Sequence, residues 1–110
     1  MRRPPNALVT GALLAALGIG CAHQTLSATA PLVGNVQRGR ALFTKSCANC
    51  HGATGVEGDI GPSLRFESRR KDLDATIVWI HHPRPPMPTL YPSPLTATDV
   101  VDIATYVQSL

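Results

Sequence analysis

The sequence has 110 residues, with 10 lysines and arginines against 7 aspartates and glutamates, for a formal net charge of +3. This length accommodates at most one domain, and the charge balance excludes the strongly basic surface that nucleic-acid binding requires. Two Phe, two Tyr and one Trp are few for a core of this size, so a bound apolar group would help the chain to fold.

Residues 1–21 have the pattern of an export signal. Two adjacent arginines supply a positive start, and residues 7–19 form an apolar run that is short for a membrane span. Cys21 follows a glycine directly after this run, as in a bacterial lipobox, so the signal is expected to end before Cys21. Lipidation of this cysteine would tether the protein to a membrane. Cleavage further on, near residues 28–30, is the alternative.

Residues 22–33 show no hydrophobic periodicity and are interpreted as a flexible tether. The folded domain is therefore expected to cover residues 34–110. Its first predicted helix spans Val36–Ser46, with Asn35 as the N-terminal cap. No convincing strand pattern follows, which favours an all-α domain.

The strongest motif comes at the end of this helix. Cys47 and Cys50 are three residues apart and His51 follows directly, which is the arrangement of a c-type haem attachment site. One turn of backbone brings both thiols to the haem vinyl groups and directs the imidazole to the iron. The alternatives are half of a zinc site, which needs a second pair of ligands, and a thioredoxin-like pair, which needs a βαβ pattern. The sequence contains neither, and one motif predicts one haem c per chain.

Two further helices are predicted. One spans residues 73–82, is capped by Asp72 and is stopped by Pro83. The other begins with Thr96 and Asp99 in capping-box spacing and continues with helical periodicity to the C-terminus.

A stiff loop joins these two helices, since six of the ten prolines lie between residues 83 and 94. Met87 in this loop is the only methionine besides Met1. Its thioether is a candidate sixth ligand for a haem iron. The alternatives are His81 or His82 as the ligand, an open iron site, and a methionine that merely fills a gap.

Taken together, these features resemble the class I cytochrome c family over the whole predicted domain. The resemblance is carried by the haem motif, by the spacing of Gly39 and Phe43 in the first helix, and by the Met-Pro step at Met87. It implies an all-α cytochrome c fold, in which three main helices and their loops wrap one covalently bound haem. The first and last helices would cross where Gly39 approaches Ile103 and Tyr106.

The resemblance also implies a set of cofactor-binding residues. Cys47 and Cys50 would form the thioether bonds, while His51 and Met87 would be the two metal ligands. His/Met ligation raises the haem potential relative to ligation by a second nitrogen.

Two residues around the haem follow from the same resemblance. The carbonyl of Pro62 would accept a hydrogen bond from Nδ1–H of His51, and Trp79 would hydrogen-bond a haem propionate. Core packing is the alternative role for the tryptophan. Further candidates for propionate or partner contacts are Arg65, Arg69, Arg70, Lys71 and Arg84.

An iron with two protein ligands has no vacant position for a substrate, so the expected protein is not an enzyme. The sequence predicts an exported mono-haem cytochrome that carries single electrons between a donor and an acceptor protein. Its expected location is the bacterial periplasm, free or lipid-anchored through Cys21. Alternatives are an electron-transfer subunit of a larger oxidoreductase and, with Met87 off the iron, a haem-based sensor.

Overall fold

The computed structural model of the protein describes residues 32–110. The predicted signal at residues 1–21, Cys21 and the tether up to residue 31 lie outside the described residues. Within residues 32–110 all regular secondary structure is helical, as predicted, and no helix there has the length and apolar character needed to cross a bilayer.

The described part of the chain forms four α-helices and one short 3₁₀ helix. In chain order they are α1 (Val36–Ser46), α2 (Ala48–His51), the 3₁₀ helix (Glu67–Arg69), α3 (Leu73–His81) and α4 (Ala97–Gln108). The bounds predicted for the first helix are confirmed, whereas α2 and the 3₁₀ helix are additions.

Two predicted helix ends were wrong by one or two residues. Helix α3 ends one residue before the predicted His82, which leaves the helical conformation with φ −133° and ψ 63°. Helix α4 stops at Gln108 rather than at the C-terminus, because the N–H groups of Ser109 and Leu110 bond three residues back instead of four.

The predicted helix caps are confirmed. Asn35 and Asp72 each accept, at 2.8 Å, a hydrogen bond from the backbone N–H three residues ahead. At α4 the capping box is complete, since the hydroxyl of Thr96 accepts from the Asp99 N–H at 3.2 Å and the Asp99 carboxylate accepts from the Thr96 N–H at 2.8 Å.

Helices α1 and α4 cross at Gly39. A Cβ atom on Gly39 would lie 1.9 Å from the carbonyl oxygen of Asp102 and 3.0 Å from Cβ of Tyr106. The closest approach is therefore to the backbone of Asp102 and to Tyr106, rather than to the predicted Ile103, which is buried nearby in the same core. Only a glycine permits this distance between the two helix backbones.

The hydrophobic core is shared by α1, α3 and α4. Phe43 of α1 packs edge-on against Tyr106 of α4, with ring centroids 5.3 Å apart. The other buried apolar side chains are Ile80, Leu95, Val100, Ile103, Ala104 and Val107. This core fixes α4 as one wall of the site described next.

Candidate functional site

An open cleft of about 450 Å³ lies between the cysteine motif, α3, the proline-rich loop and α4. Its size is within the range of about 300–1,000 Å³ that is usual for ligand sites. The structure brings all six sequence-predicted site residues to this cleft: Cys47, Cys50, His51, Pro62, Trp79 and Met87. Phe43, Ile103 and Val107 connect the cleft to the core.

Helix α2 and the residue before it, Cys47, hold the two thiols and the imidazole in one turn. The carbonyl of Cys47 accepts hydrogen bonds from the N–H groups of Cys50 and His51, both at 3.1 Å. Burial, with a smaller contribution from Cys50, raises the pKa of the Cys47 thiol to about 11. Catalytic redox cysteines have lowered pKa values, so this environment is unlike that of a thioredoxin-type pair.

The imidazole of His51 is buried and held from one side. Its Nδ1–H donates to the carbonyl oxygen of Pro62 at 2.8 Å. Gly61 leaves room for the ring, because a Cβ at this position would lie 2.8 Å from Cε1 of His51. The Gly61 N–H donates to Cys50 O at 2.7 Å, which holds this glycine beside the motif. Because Nδ1 of His51 is occupied by the hydrogen bond to Pro62, Nε2 is the nitrogen that is free to bind a metal.

Met87 lies half-buried in the proline-rich loop and lines the cleft together with three prolines. Its N–H donates to the carbonyl of Arg84 at 3.1 Å, which closes a turn at the tip of the loop. The fixed φ of the neighbouring prolines limits the conformations available to this turn. The loop therefore presents one thioether to the cleft from a restrained backbone.

The two histidines weighed as alternative ligands do not line this cleft. His81 stacks on Tyr91, with ring centroids 4.0 Å apart, and borders a separate depression near Leu32 and Val33. His82 follows the end of α3 and is exposed. The geometry thus favours Met87 over both histidines as the side chain available to the cleft.

The predicted basic residues divide into two groups. Lys71 and Arg84 lie near the Trp79 ring, at 5.1 and 5.7 Å from its centroid, and both line the cleft, as does Arg70. The other two, Arg65 and Arg69, lie over the ring of the exposed Phe66 and do not line the cleft. Three of the five basic residues therefore remain candidates to bind the anionic groups of a cofactor.

Glu67 is a cleft residue that the sequence reasoning missed. It is only 6% exposed, and its carboxylate pairs with Arg70 and Lys71. Burial alone would raise the pKa of this carboxyl, but hydrogen bonds from Lys71 and Arg70 outweigh it, so the pKa is lowered and the group is ionised. The i+3 and i+4 spacing of the two cations was the available signal.

A zinc site receives no support from the described residues. Nowhere in residues 32–110 do three or more His, Cys, Asp or Glu side chains stand close enough together to hold a metal ion. The ligands available to the cleft are instead one imidazole and one thioether, a pair that suits haem iron.

A protein-family model described as cytochrome C oxidase, cbb3-type, subunit III matches residues 34–107. The chain belongs to this cytochrome c family. The domain is also 38% identical, over 80 residues, to the cytochrome c-553-like protein of Synechocystis sp., an alignment that covers 72% of each chain.

The cytochrome c fold is borne out by a solved structure. The crystal structure of cytochrome CL from the marine methylotrophic bacterium Methylophaga aminisulfidivorans MPT matches with a TM-score of 0.56 and 26% identity. The match covers 67% of this chain and only 51% of the cytochrome CL chain.

Membership of the cytochrome c family implies a haem c held through cysteine, and the cleft is suited to it. Two thiols lie one helical turn apart, and the buried imidazole of His51 beside them donates from Nδ1 to the carbonyl of Pro62. Apolar side chains from α1 and α4 and cations beside Trp79 complete the lining. These residues match both the apolar ring and the carboxylates of a haem.

Proposed function

We propose that this cytochrome c domain carries single electrons between redox proteins, and that Cys47 and Cys50 would attach the haem while His51 and Met87 would bind its iron. The bound haem would supply the chemistry, a one-electron change between Fe(II) and Fe(III). One observation carries the proposal: an oriented imidazole and a restrained thioether line the same cleft.

The role of the protein in this proposal is to hold both ligands still. Pro62 fixes the tautomer of His51 through the Nδ1–H bond of 2.8 Å, and Gly61 leaves room for the ring at that position. Proline residues on both sides of Met87 restrain the loop that carries the sulfur. Ligands that keep their positions in both oxidation states lower the reorganisation that accompanies electron transfer.

Trp79 and the cations beside it support the placement of the cofactor carboxylates at this part of the cleft. The indole N–H is a donor, and Lys71 and Arg84 lie within 6 Å of the ring, at 5.1 and 5.7 Å. Charge-assisted hydrogen bonds to carboxylates are stronger than those between neutral groups. Trp79 would therefore donate its indole N–H to a haem propionate.

The test is an absorption spectrum of the exported protein, oxidised and reduced, with a pyridine haemochrome assay. We expect a c-type haemochrome at one haem per chain, a sharp reduced α-band and a weak near-infrared band from sulfur bound to ferric iron. Haem without the sulfur band would overturn the assignment of Met87. Rapid binding of CO by the ferrous protein would then point to an open sensor site. Absence of covalent haem, in a host able to attach it, would overturn the whole proposal.

A second candidate is an electron-transfer subunit of a larger oxidoreductase. The observation that favours it is the family description, which names a subunit of a cbb3-type oxidase and matches residues 34–107. Purification from the native membrane and soluble fractions separates the two candidates. A stable complex of fixed stoichiometry supports the subunit, whereas a monomer that exchanges electrons with several partners supports the free carrier.

The place of action proposed for the domain is the bacterial periplasm, because haem is attached to cysteine thiols outside the cytoplasm. The N-terminal signal, which would end before Cys21, would direct export, and lipidation of Cys21 would anchor the protein to the membrane. Mass spectrometry of the mature N-terminus tests both statements. A diacylglyceryl group on Cys21 supports the lipid anchor. A mature chain that begins near residues 28–30 overturns the anchor and supports a soluble periplasmic form.

A further inference from the structure

The cleft wall contains a buried negative charge that electron carriage through His51 and Met87 does not require. Glu67 stands at the start of the 3₁₀ helix and is 6% exposed. Removing a carboxylate from water is costly unless partners compensate it. We propose that Glu67 is a positioning residue that fixes Arg70 and Lys71 at the cleft wall, and that its charge lowers the reduction potential of the cofactor. This inference rests on the proposed function.

Both carboxylate oxygens of Glu67 are engaged. Oε1 accepts from Nζ of Lys71 at 2.7 Å, and Oε2 accepts from Nε of Arg70 at 2.9 Å and from its Nη2. The backbone carbonyl of Glu67 accepts from the N–H groups of the same two residues, at 2.8 and 2.9 Å. One glutamate therefore restrains both the main chain and the side chains of the two cations.

The two cations are also restrained from outside this segment. Gln108 of α4 donates through Nε2 to the carbonyl of Lys71 at 3.0 Å, and Nη2 of Arg70 donates to the carbonyl of Ser63 at 3.3 Å. Lys71 retains ammonium protons beyond the one given to Glu67, and Nη1 of Arg70 has no hydrogen-bond partner among the described residues. Those donors remain for an anionic group at the cleft.

The sign of the effect on the potential follows from charge. Reduction adds one electron to the iron and so lowers its positive charge by one. A negative charge in the wall stabilises the more positive ferric form, and burial of Glu67 limits the screening of this interaction by water. Neutralising the carboxylate, and leaving two less compensated cations, should therefore raise the potential.

The experiment uses the full-length holoprotein and the near-isosteric substitution Glu67→Gln. We expect the Fe(II)/Fe(III) ratio at a fixed electrode potential to rise three- to tenfold, where tenfold corresponds to about 59 mV for one electron. The matched control is Glu57→Gln, since Glu57 is the other glutamate of the chain, is exposed and does not line the cleft. Its shift should be less than half as large.

An unchanged or lowered potential in Glu67→Gln, with an intact haem spectrum, would overturn the inference. If this variant does not fold, Arg70→Gln and Lys71→Gln decide, because each leaves Glu67 less compensated and should lower the potential. An unchanged or raised potential in both would also overturn it. The proposed function fails separately, through the haemochrome and near-infrared spectra of the unsubstituted protein.

Discussion

The helix crossing and the cleft are built in different ways. At the crossing, the backbones of α1 and α4 are in close contact at Gly39, and Arg38 of α1 forms ion pairs with Asp99 and Asp102 of α4. In the cleft, residues from seven segments line one space, and Trp79 is still 37% exposed. The tightest contact between helices thus lies at the crossing, whereas the candidate ligands of the cleft lie on α2 and in the proline-rich loop.

The largest effect on stability is expected where the crossing is tightest. Gly39→Val places side-chain atoms where Asp102 O lies 1.9 Å from the ideal Cβ position, so the two helices must separate. We expect the free energy of unfolding to fall by about 3 kcal/mol or more, and little holoprotein to accumulate. Denaturant unfolding of the holoprotein measures this.

The control for this prediction is Ala41→Val in the same helix. Ala41 is exposed, so the substitution carries the helix-propensity cost of valine, about 0.5 kcal/mol, without the clash. Equal losses for the two variants would show that the crossing does not depend on close approach at Gly39.

The cleft is broken most directly at the proposed sulfur ligand. Met87→His replaces the thioether by a nitrogen donor, which favours ferric iron, so we expect the reduction potential to fall by about 0.1 V or more, within the roughly 0.8 V span that axial ligands cover. The near-infrared sulfur band should disappear at the same time.

Redox titration and ferric spectra of Met87→His check this prediction beside His82→Gln. His82 is exposed and does not line the cleft, so the control should keep both the potential and the band. A changed potential in His82→Gln beside an unchanged potential in Met87→His would reverse the ligand assignment.

A smaller effect is expected at the His51 side of the cleft. Gly61→Ala puts a Cβ 2.8 Å from Cε1 and 2.9 Å from Nδ1 of His51, whose ring is also held by Pro62. The strain should cost about 1–3 kcal/mol of the free energy of unfolding and tilt the imidazole. Denaturant unfolding together with the NMR shifts of His51 measures both. Unchanged values would mean that the ring has more freedom than the hydrogen bond to Pro62 indicates.

The crossing was largely predictable because its signals are local. Asn35 predicts where α1 begins, and the capping box of Thr96 and Asp99 predicts the start of α4. The family resemblance then supplied the pairing of the two helices at Gly39. The sequence could not show that Gly39 contacts the backbone of Asp102 instead of Ile103, because this contact depends on the rotation of each helix about its own axis.

The cleft was predictable only where a motif marks it. Residues 47–51 carry their chemistry in their spacing, and the proline-rich loop singles out Met87. For Glu67 the only signal is the i+3 and i+4 spacing of Arg70 and Lys71, which is equally common on solvent-exposed surfaces and does not predict burial. Its burial arises when the segment docks on the end of α4 and the residue at the C-terminus, where Gln108 donates to Lys71 O and the Phe66 N–H donates to Leu110 O. Local sequence patterns cannot predict contacts between residues that lie about 40 positions apart in the chain.

The smallest effect concerns the charge at the start of α4 and depends on pH. Hydrogen bonds from the backbone and the hydroxyl of Thr96, and then from Arg38, hold the pKa of Asp99 below its usual value. A lowered folded-state pKa stabilises the fold above the unfolded value of about 3.9, and this contribution is lost as the pH falls through the folded value. Asp99→Asn should therefore melt several degrees below the parent at pH 7, with a gap that narrows below about pH 4.

Thermal melts of the two holoproteins at pH 7 and pH 3 measure this gap, and a common loss of haem ligation in acid affects both alike. The control is Asp74→Asn, an exposed position in the first turn of α3, which should shift the melting temperature much less at pH 7. A gap of equal size at both pH values would show that Asp99 acts through shape rather than charge. In that case the crossing would depend on the close contact at Gly39, with the pairing of Arg38 contributing little.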